Sequence, residues 1–143
     1  MLLGEYEHTL DDKNRLTLPA KFRRAFEGGC VLSRGLDNCL SVWTTEGWEN
    51  HQKTTLASLN LLSKDGRQLY RYLIAGATDT TPDKQGRVIV PPALLDHAKL
   101  GREVVIAGVN DRLEIWDRDA WRRELSEVEG SAEDVAERLA QRS

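Results

Sequence analysis

A nine-residue stretch occurs twice in this chain, and the repetition constrains the fold more than anything else in it. Asp11-Asp12-Lys13-Asn14-Arg15-Leu16-Thr17-Leu18-Pro19 returns as Asp83-Lys84-Gln85-Gly86-Arg87-Val88-Ile89-Val90-Pro91. Each copy reads Asp-x-x-x-Arg, then three strand-forming residues, then Pro. The likeness continues: Gly35-Leu36-Asp37-Asn38-Cys39-Leu40-Ser41-Val42-Trp43 is answered by Gly108-Val109-Asn110-Asp111-Arg112-Leu113-Glu114-Ile115-Trp116, and Trp48 by Trp121. A repeat with this many ordered matches means one supersecondary unit used twice. The chain has 143 residues, which by the usual size relation supports one good core. The two copies are therefore expected to share it.

The local chemistry of each copy is readable. A strand is expected over residues 5–10, with Tyr6, His8 and Leu10 on one face. Asp11 to Asn14 forms a turn, and Asn14 aligns with Gly86. Gly and Asn are the residues that best tolerate positive φ, so both turns call for a left-handed residue just before the Arg. Residues 15–18 form the return strand. Pro19 suits a first helical turn, since the N–H it lacks has no intrahelical partner there. Phe22, Ala25 and Phe26 then share a face, and Gly28-Gly29 stops the helix. In the second copy Pro92 starts, Leu94, Leu95 and Ala98 pack, and Gly101 stops. Strands follow at 30–33 and 39–43, and at 103–107 and 112–116. Between the copies, Thr44 or Thr45 caps a helix through Trp48 and His51, and Ser63 caps one carrying Leu69, Tyr72 and Leu73, with Gly66 weakening its first turn. Asp117 caps a helix through Trp121 and Leu125. The organisation expected is a first half at 5–50, a helical connector at 51–76, a second half at 77–123 and a charged tail at 124–143. That tail, rich in Glu and Asp, reads as a solvated helix or frayed end, or else as an arm that binds a partner.

Several function classes find no support in these residues. His8, His51 and His97 are scattered, with no nucleophile beside any of them, and no Gly-rich phosphate loop is present, so no enzyme and no cofactor is expected. Cys30 and Cys39 have no counterparts in the second copy, which argues against a metal or disulfide site; they read as small reduced residues on strands that could face each other. The start of the chain meets acid at once and lacks a basic leader, and no apolar run approaches the length of a membrane span. A cytoplasmic protein without membrane partners is expected. The duplicated tryptophans read as packing residues.

The cations point to nucleic acid. Net charge is −3, so binding has to come from a local patch. Asp11 and Asp83 are placed to cap their turns by accepting N–H groups. Arg15 and Arg87, at the hairpin mouths beside Lys13 and Lys84, are placed to reach a phosphate or a guanine edge; a surface ion pair is the alternative. From Asp11 to Arg24 the first window adds Lys21, Arg23 and Arg24, whereas the second is balanced by Asp96. Lys21 and Arg23 are thus expected to flank the first hairpin mouth, making Arg15, on a solvent-facing turn, the heavier DNA contact of the two arginines.

These residues resemble the bacterial MraZ proteins. The likeness rests on Gly4-Glu5-Tyr6-Glu7-His8-Thr9-Leu10-Asp11, Lys13-Asn14-Arg15, Pro19-Ala20-Lys21-Phe22-Arg23, Arg34-Gly35-Leu36-Asp37, Gly76-Ala77, Asp83-Lys84-Gln85-Gly86-Arg87 and Glu114-Ile115-Trp116, and spans residues 1–125. Asn14 departs from the Gly usual there. The resemblance implies a mainly β, α+β fold. Two AbrB-like half-domains interleave swapped hairpins into one small β-barrel with flanking helices. It also implies a nucleoid-associated, ring-like homo-oligomer. Such rings bind tandem promoter repeats of the division and cell-wall gene cluster, including the protein's own gene, and regulate it, with repression expected. The Asp-x-x-x-Arg motifs are implied at the DNA, which carries over to Arg15 and Arg87 with Lys13 and Lys84. An AbrB-like antitoxin that blocks a partner toxin is the competing class, and the short helix-prone tail argues against it.

Overall fold

The computed structural model describes residues 1–142. Its strands are β1 (Leu2–Thr9), β2 (Arg15–Thr17), β3 (Cys30–Arg34), β4 (Leu40–Thr44), β5 (Thr78–Thr80), β6 (Arg87–Ile89), β7 (Glu103–Asn110) and β8 (Arg112–Asp117). Its α-helices are α1 (Arg23–Phe26), α2 (Thr45–Thr54), α3 (Lys64–Ala75), α4 (Pro92–Ala98), α5 (Arg118–Glu129) and α6 (Ala132–Arg142). Single 3-10 turns occupy Ala20–Phe22 and Leu56–Ser58.

Every strand pair is antiparallel, and the pairing interleaves the two copies. Six strands form one sheet in the order β1-β7-β8-β4-β3-β5, while β2 and β6 form a separate two-stranded ribbon. The first strand of the first copy lies on β7 of the second (Tyr6 opposite Ile106), and β5 of the second lies on β3 of the first (Cys30 opposite Thr80). At the centre, β4 and β8 pair with Leu40 opposite Ile115 and Val42 opposite Leu113, a register that maps onto itself when the copies are exchanged. The molecule thus has an internal pseudo-twofold axis between β4 and β8.

The α+β class with swapped hairpins is what forms, with helix outweighing strand, but the strands do not close into a barrel. The physical reason lies in the ribbon. Its strands are three residues long and separate from β1 and β5 right after the turns. Helical segments fill the resulting gap. Phe22 and Phe26 from the first copy, and Leu94 and Ala98 from the second, pack between ribbon and sheet. They join Leu16, Leu18, Val88 and Val90 of the ribbon side and Leu32, Leu40, Val42, Val104, Ile106, Leu113 and Ile115 of the sheet. Burying one such side chain contributes about 1.5–3 kcal/mol.

The opposite sheet face is covered by α2 and α5 through the duplicated tryptophans. Trp43 meets Trp48 edge-on, with ring centroids 5.9 Å apart, and Trp116 meets Trp121 at 5.5 Å. Trp43 also stacks on His51 and donates its indole N–H to the buried Ser33 hydroxyl at 2.9 Å. These are packing roles, as the repeat implies. Thr44, Ser63 and Asp117 cap their helices, each accepting a first-turn backbone N–H.

Several local expectations are corrected. Strand β1 begins at Leu2, because Leu2 packs in the core. Ala25 is exposed, since the passage from 3-10 turn to α1 rotates it away from Phe22 and Phe26. Helix α4 ends at left-handed Lys99 (φ 51°), ahead of Gly101. Cys30 and Cys39 are free and buried as expected but do not face each other: Cys30 lies opposite Thr44, and Cys39 is at the other end of that hairpin beside Gly35. Burial pushes the two thiols up to about 11 and about 12, so neither is a ready nucleophile. The tail takes the helical one of its expected forms, α6, as far as Arg142.

Candidate nucleic-acid interface

Each turn is tied by its aspartate in the same way. Asp11 Oδ1 accepts the backbone N–H groups of Lys13 (2.9 Å) and Arg15 (2.8 Å), and its Oδ2 accepts Arg15 Nε at 2.6 Å. Asp83 Oδ1 accepts the N–H groups of Gln85 and Arg87, both at 2.9 Å, and its Oδ2 takes Arg87 Nε at 2.7 Å. Asn14 (φ 58°) and Gly86 (φ 77°) supply the left-handed step both turns require. The hydrogen bond from the Arg15 backbone, then those from its side chain and from Lys13, hold the Asp11 carboxyl down at about 2 against the residual cost of burial. The carboxyl of Asp83 is lowered for the same reasons, led by the Arg87 backbone N–H.

Both the capping role and the ion pair are therefore real, and they have a consequence for the arginines. Only Nε of each guanidinium is spent on the aspartate; among the described residues nothing else bonds the terminal nitrogens of Arg15 or Arg87. The side chains are 27% and 28% exposed, so they are half-sunk and held, not the free solvent-facing groups that the turn positions imply. An arginine fixed by one edge with its outer N–H groups free is a preorganised fork for phosphate or a base edge.

Strand parity puts the two forks on one surface. In the ribbon Arg15 lies opposite Ile89, Leu16 opposite Val88 and Thr17 opposite Arg87. Leu16 and Val88 point into the core, so Arg15, Thr17, Arg87 and Ile89 share the outer face. Ile89 is 63% exposed between them. Cross-strand bonds from Leu18 N to Gly86 O (2.8 Å) and from Val90 N to Asn14 O (2.9 Å) bring both turns to this ribbon.

The other cations expected at the site are distributed by the hairpin swap. Lys13 and Lys84 are exposed on the two turns. Arg23 does not flank the first turn. It donates Nε–H to Leu18 O at 3.3 Å and lies across the second turn, where a Cβ on Gly86 would come within 2.5 Å of its Nε. Lys21 is likewise drawn elsewhere, with Nζ 5.8 Å from the Tyr6 ring centroid and 5.5 Å from that of Phe22. Arg24 is exposed on α1 and has no ion-pair partner among the described residues. Two further residues lie beside these turns. Ile89 could have been found from its alternation with Val88 and Val90. Arg102, which pairs with Asp12 at 3.1 Å across the first turn, carries no local signal.

Among the described residues no group of His, Cys, Asp and Glu could hold a metal ion, and no helix is long and apolar enough to cross a membrane. Comparison with known proteins decides the family. The sequence model of one family, described as "MraZ protein, putative antitoxin-like", matches the chain twice, at residues 1–72 and 73–143. The chain belongs to the MraZ family. Curated MraZ relatives share its full extent. "Transcriptional regulator MraZ" of Thermoanaerobacter sp. (strain X514) is 43% identical over 139 residues, covering 97% of this chain and 96% of that protein. The protein of the same name from Roseiflexus sp. (strain RS-1) is 44% identical over 141 residues, covering 99% and 98%. The MraZ model falls once on each half, in keeping with the two clamped turns.

Proposed function

We propose that this protein is a transcriptional regulator that binds duplex DNA through the outer face of the β2–β6 ribbon. The carrying observation is the pair of aspartate-clamped arginines, Arg15 and Arg87, on one exposed face with their terminal N–H groups unspent. Lys13, Lys84, Arg23 and Arg24 supply the surrounding positive field. The relatives' printed name, transcriptional regulator, supports the same reading.

Its sites are tandem repeats in the promoter of the division and cell-wall gene cluster, including the protein's own gene, and it represses there as a ring-like oligomer on the nucleoid. A net charge of −3 makes one protomer a weak binder, and several ribbons on a repeated site turn later contacts into intramolecular ones. Helices α3 and α6 bury no residue within the chain while carrying apolar faces, which leaves surface for neighbouring protomers. Footprinting on DNA upstream of the gene is expected to protect regularly spaced repeats. Affinity is expected to fall with salt at about −0.9 in log K per neutralised phosphate and to drop as repeats are removed. A salt slope near zero, or indifference to repeat number, overturns this reading.

A second reading, an antitoxin that neutralises a partner toxin, is favoured by the family description. It requires a toxin encoded nearby whose growth arrest this protein relieves.

A further inference from the structure

We infer that the ribbon is electrostatically lopsided, with the stronger DNA contact at the second turn, where Arg23 of the first copy completes the phosphate site around Arg87 and Lys84. This rests on the DNA-binding reading and assigns its heavier half, opposite to the order that charge along the sequence implies.

The argument compares equivalent positions across the pseudo-twofold axis. Gly86 is buried beneath the Arg23 side chain, whereas its equivalent Asn14 is exposed. The residue equivalent to Arg23 is Leu95, which lines the hollow beside Asn14 and Asp11. One turn is therefore covered by a guanidinium, while the other is open, with an apolar side chain lining the hollow beside it. The turns themselves differ in the same sense: Asp12 of the first stands where Lys84 stands in the second. Asp12 consumes Arg102 in an ion pair. That leaves Lys13 as the unpaired cation at the first turn, against Lys84 and Arg23 at the second; among the described residues neither of these two meets a carboxylate. Arg23 is also held in place, since Nε donates to Leu18 O, whose own N–H bonds Gly86 O. A cation anchored on the turn backbone is preorganised for the phosphate that flanks whatever Arg87 reads. The swap of hairpins between copies creates this arrangement.

Fluorescence anisotropy tests it, using the full-length protein and a labelled duplex from upstream of its own gene, over a series of salt concentrations. Arg23→Gln keeps a stem and an N–H for Leu18 O while removing the charge. It is expected to weaken binding roughly three- to tenfold at low salt and to flatten the salt slope by about one per engaged protomer. Arg23→Lys is expected to restore the slope. Arg87→Ala is expected to lose more affinity than Arg15→Ala, each checked for folding by circular dichroism. Wild-type-like binding by Arg23→Gln, or a larger loss in Arg15→Ala than in Arg87→Ala, overturns the inference while leaving DNA binding intact. A wild-type protein that binds no duplex overturns the DNA reading and this inference together.

Discussion

At the scale of single residues, the aspartates decide how the arginines are presented. Asp11 gathers two backbone N–H groups and one guanidinium edge on one carboxylate, and its ionised form is favoured accordingly. Its carboxyl titrates at about 2 in the folded chain against an ordinary 3.8. A lowered folded value means that the carboxylate's contribution to stability is fully present above about 3.8. It is lost as pH falls through about 2. Acid should therefore release Arg15 from its clamp only as pH approaches about 2. Carboxyl NMR titration is expected to find Asp11 and Asp83 below the ordinary aspartate value of 3.8, and Asp11→Asn should abolish the matching shift of the Arg15 Nε–H resonance. An Asp11 that titrates at the ordinary value would disprove the clamp.

At the scale of elements, the helices show where a propensity argument inverts. Gly66 sits in the first turn of α3, and in an exposed helix Gly→Ala ordinarily gains about 1 kcal/mol. Here a Cβ at position 66 would collide with the carbonyl oxygen of Asn60 and press on the Ser63 hydroxyl that caps the helix. Backbone cannot retreat as a flexible side chain can. Gly66→Ala is expected to lower the urea midpoint, and a gain in stability would show that the turn before α3 yields. The helix weakness that Gly66 suggests is thus a close approach between the Asn60 turn and the helix start. Elsewhere on the sheet, His51 stacks on Trp43, and its ring is held below its ordinary pKa first by burial and then by Arg112. That packing is firmest with the ring neutral, above the ordinary value of 6.5.

At the scale of the whole molecule, the interleaved strands make the two copies one folding unit. Strand β1 has its only ladder partner in β7, and β5 has its only one in β3, among the described residues. Core residues come from both copies in one cluster. A fragment of residues 1–76 alone loses β5, β6, β7 and β8, and leaves Leu16, Leu18, Leu40 and Val42 facing water. It is expected to give no folded monomer by NMR, and mixing it with residues 77–143 should restore the native spectrum. A folded, monomeric first fragment would refute the shared core. Within the intact chain, Leu16→Ala is expected to cost about 2–5 kcal/mol, because its site is fully enclosed and has little freedom to collapse.

What the sequence determined by itself is local. The Asp-x-x-x-Arg turns, the left-handed step at Asn14 and Gly86, the caps Thr44, Ser63 and Asp117, and the paired tryptophans all follow from residues a few positions apart, whose geometry is settled by sterics and short hydrogen bonds. The repeat also showed that the copies share a core. Only the tertiary structure decided which side chains become neighbours across the copies. Arg23 is close to Arg15 in sequence yet lies over Gly86, Lys21 goes to Tyr6, and Asp12 finds Arg102. Cys30 and Cys39 separate to opposite ends of their hairpin, and the strands divide into an open sheet and a ribbon where a closed barrel was expected. Arg23 and Asp12 share one physical reason. A hairpin that pairs with the other copy carries its turn away from its own helix, so charge counted along the chain is redistributed by long-range strand pairing.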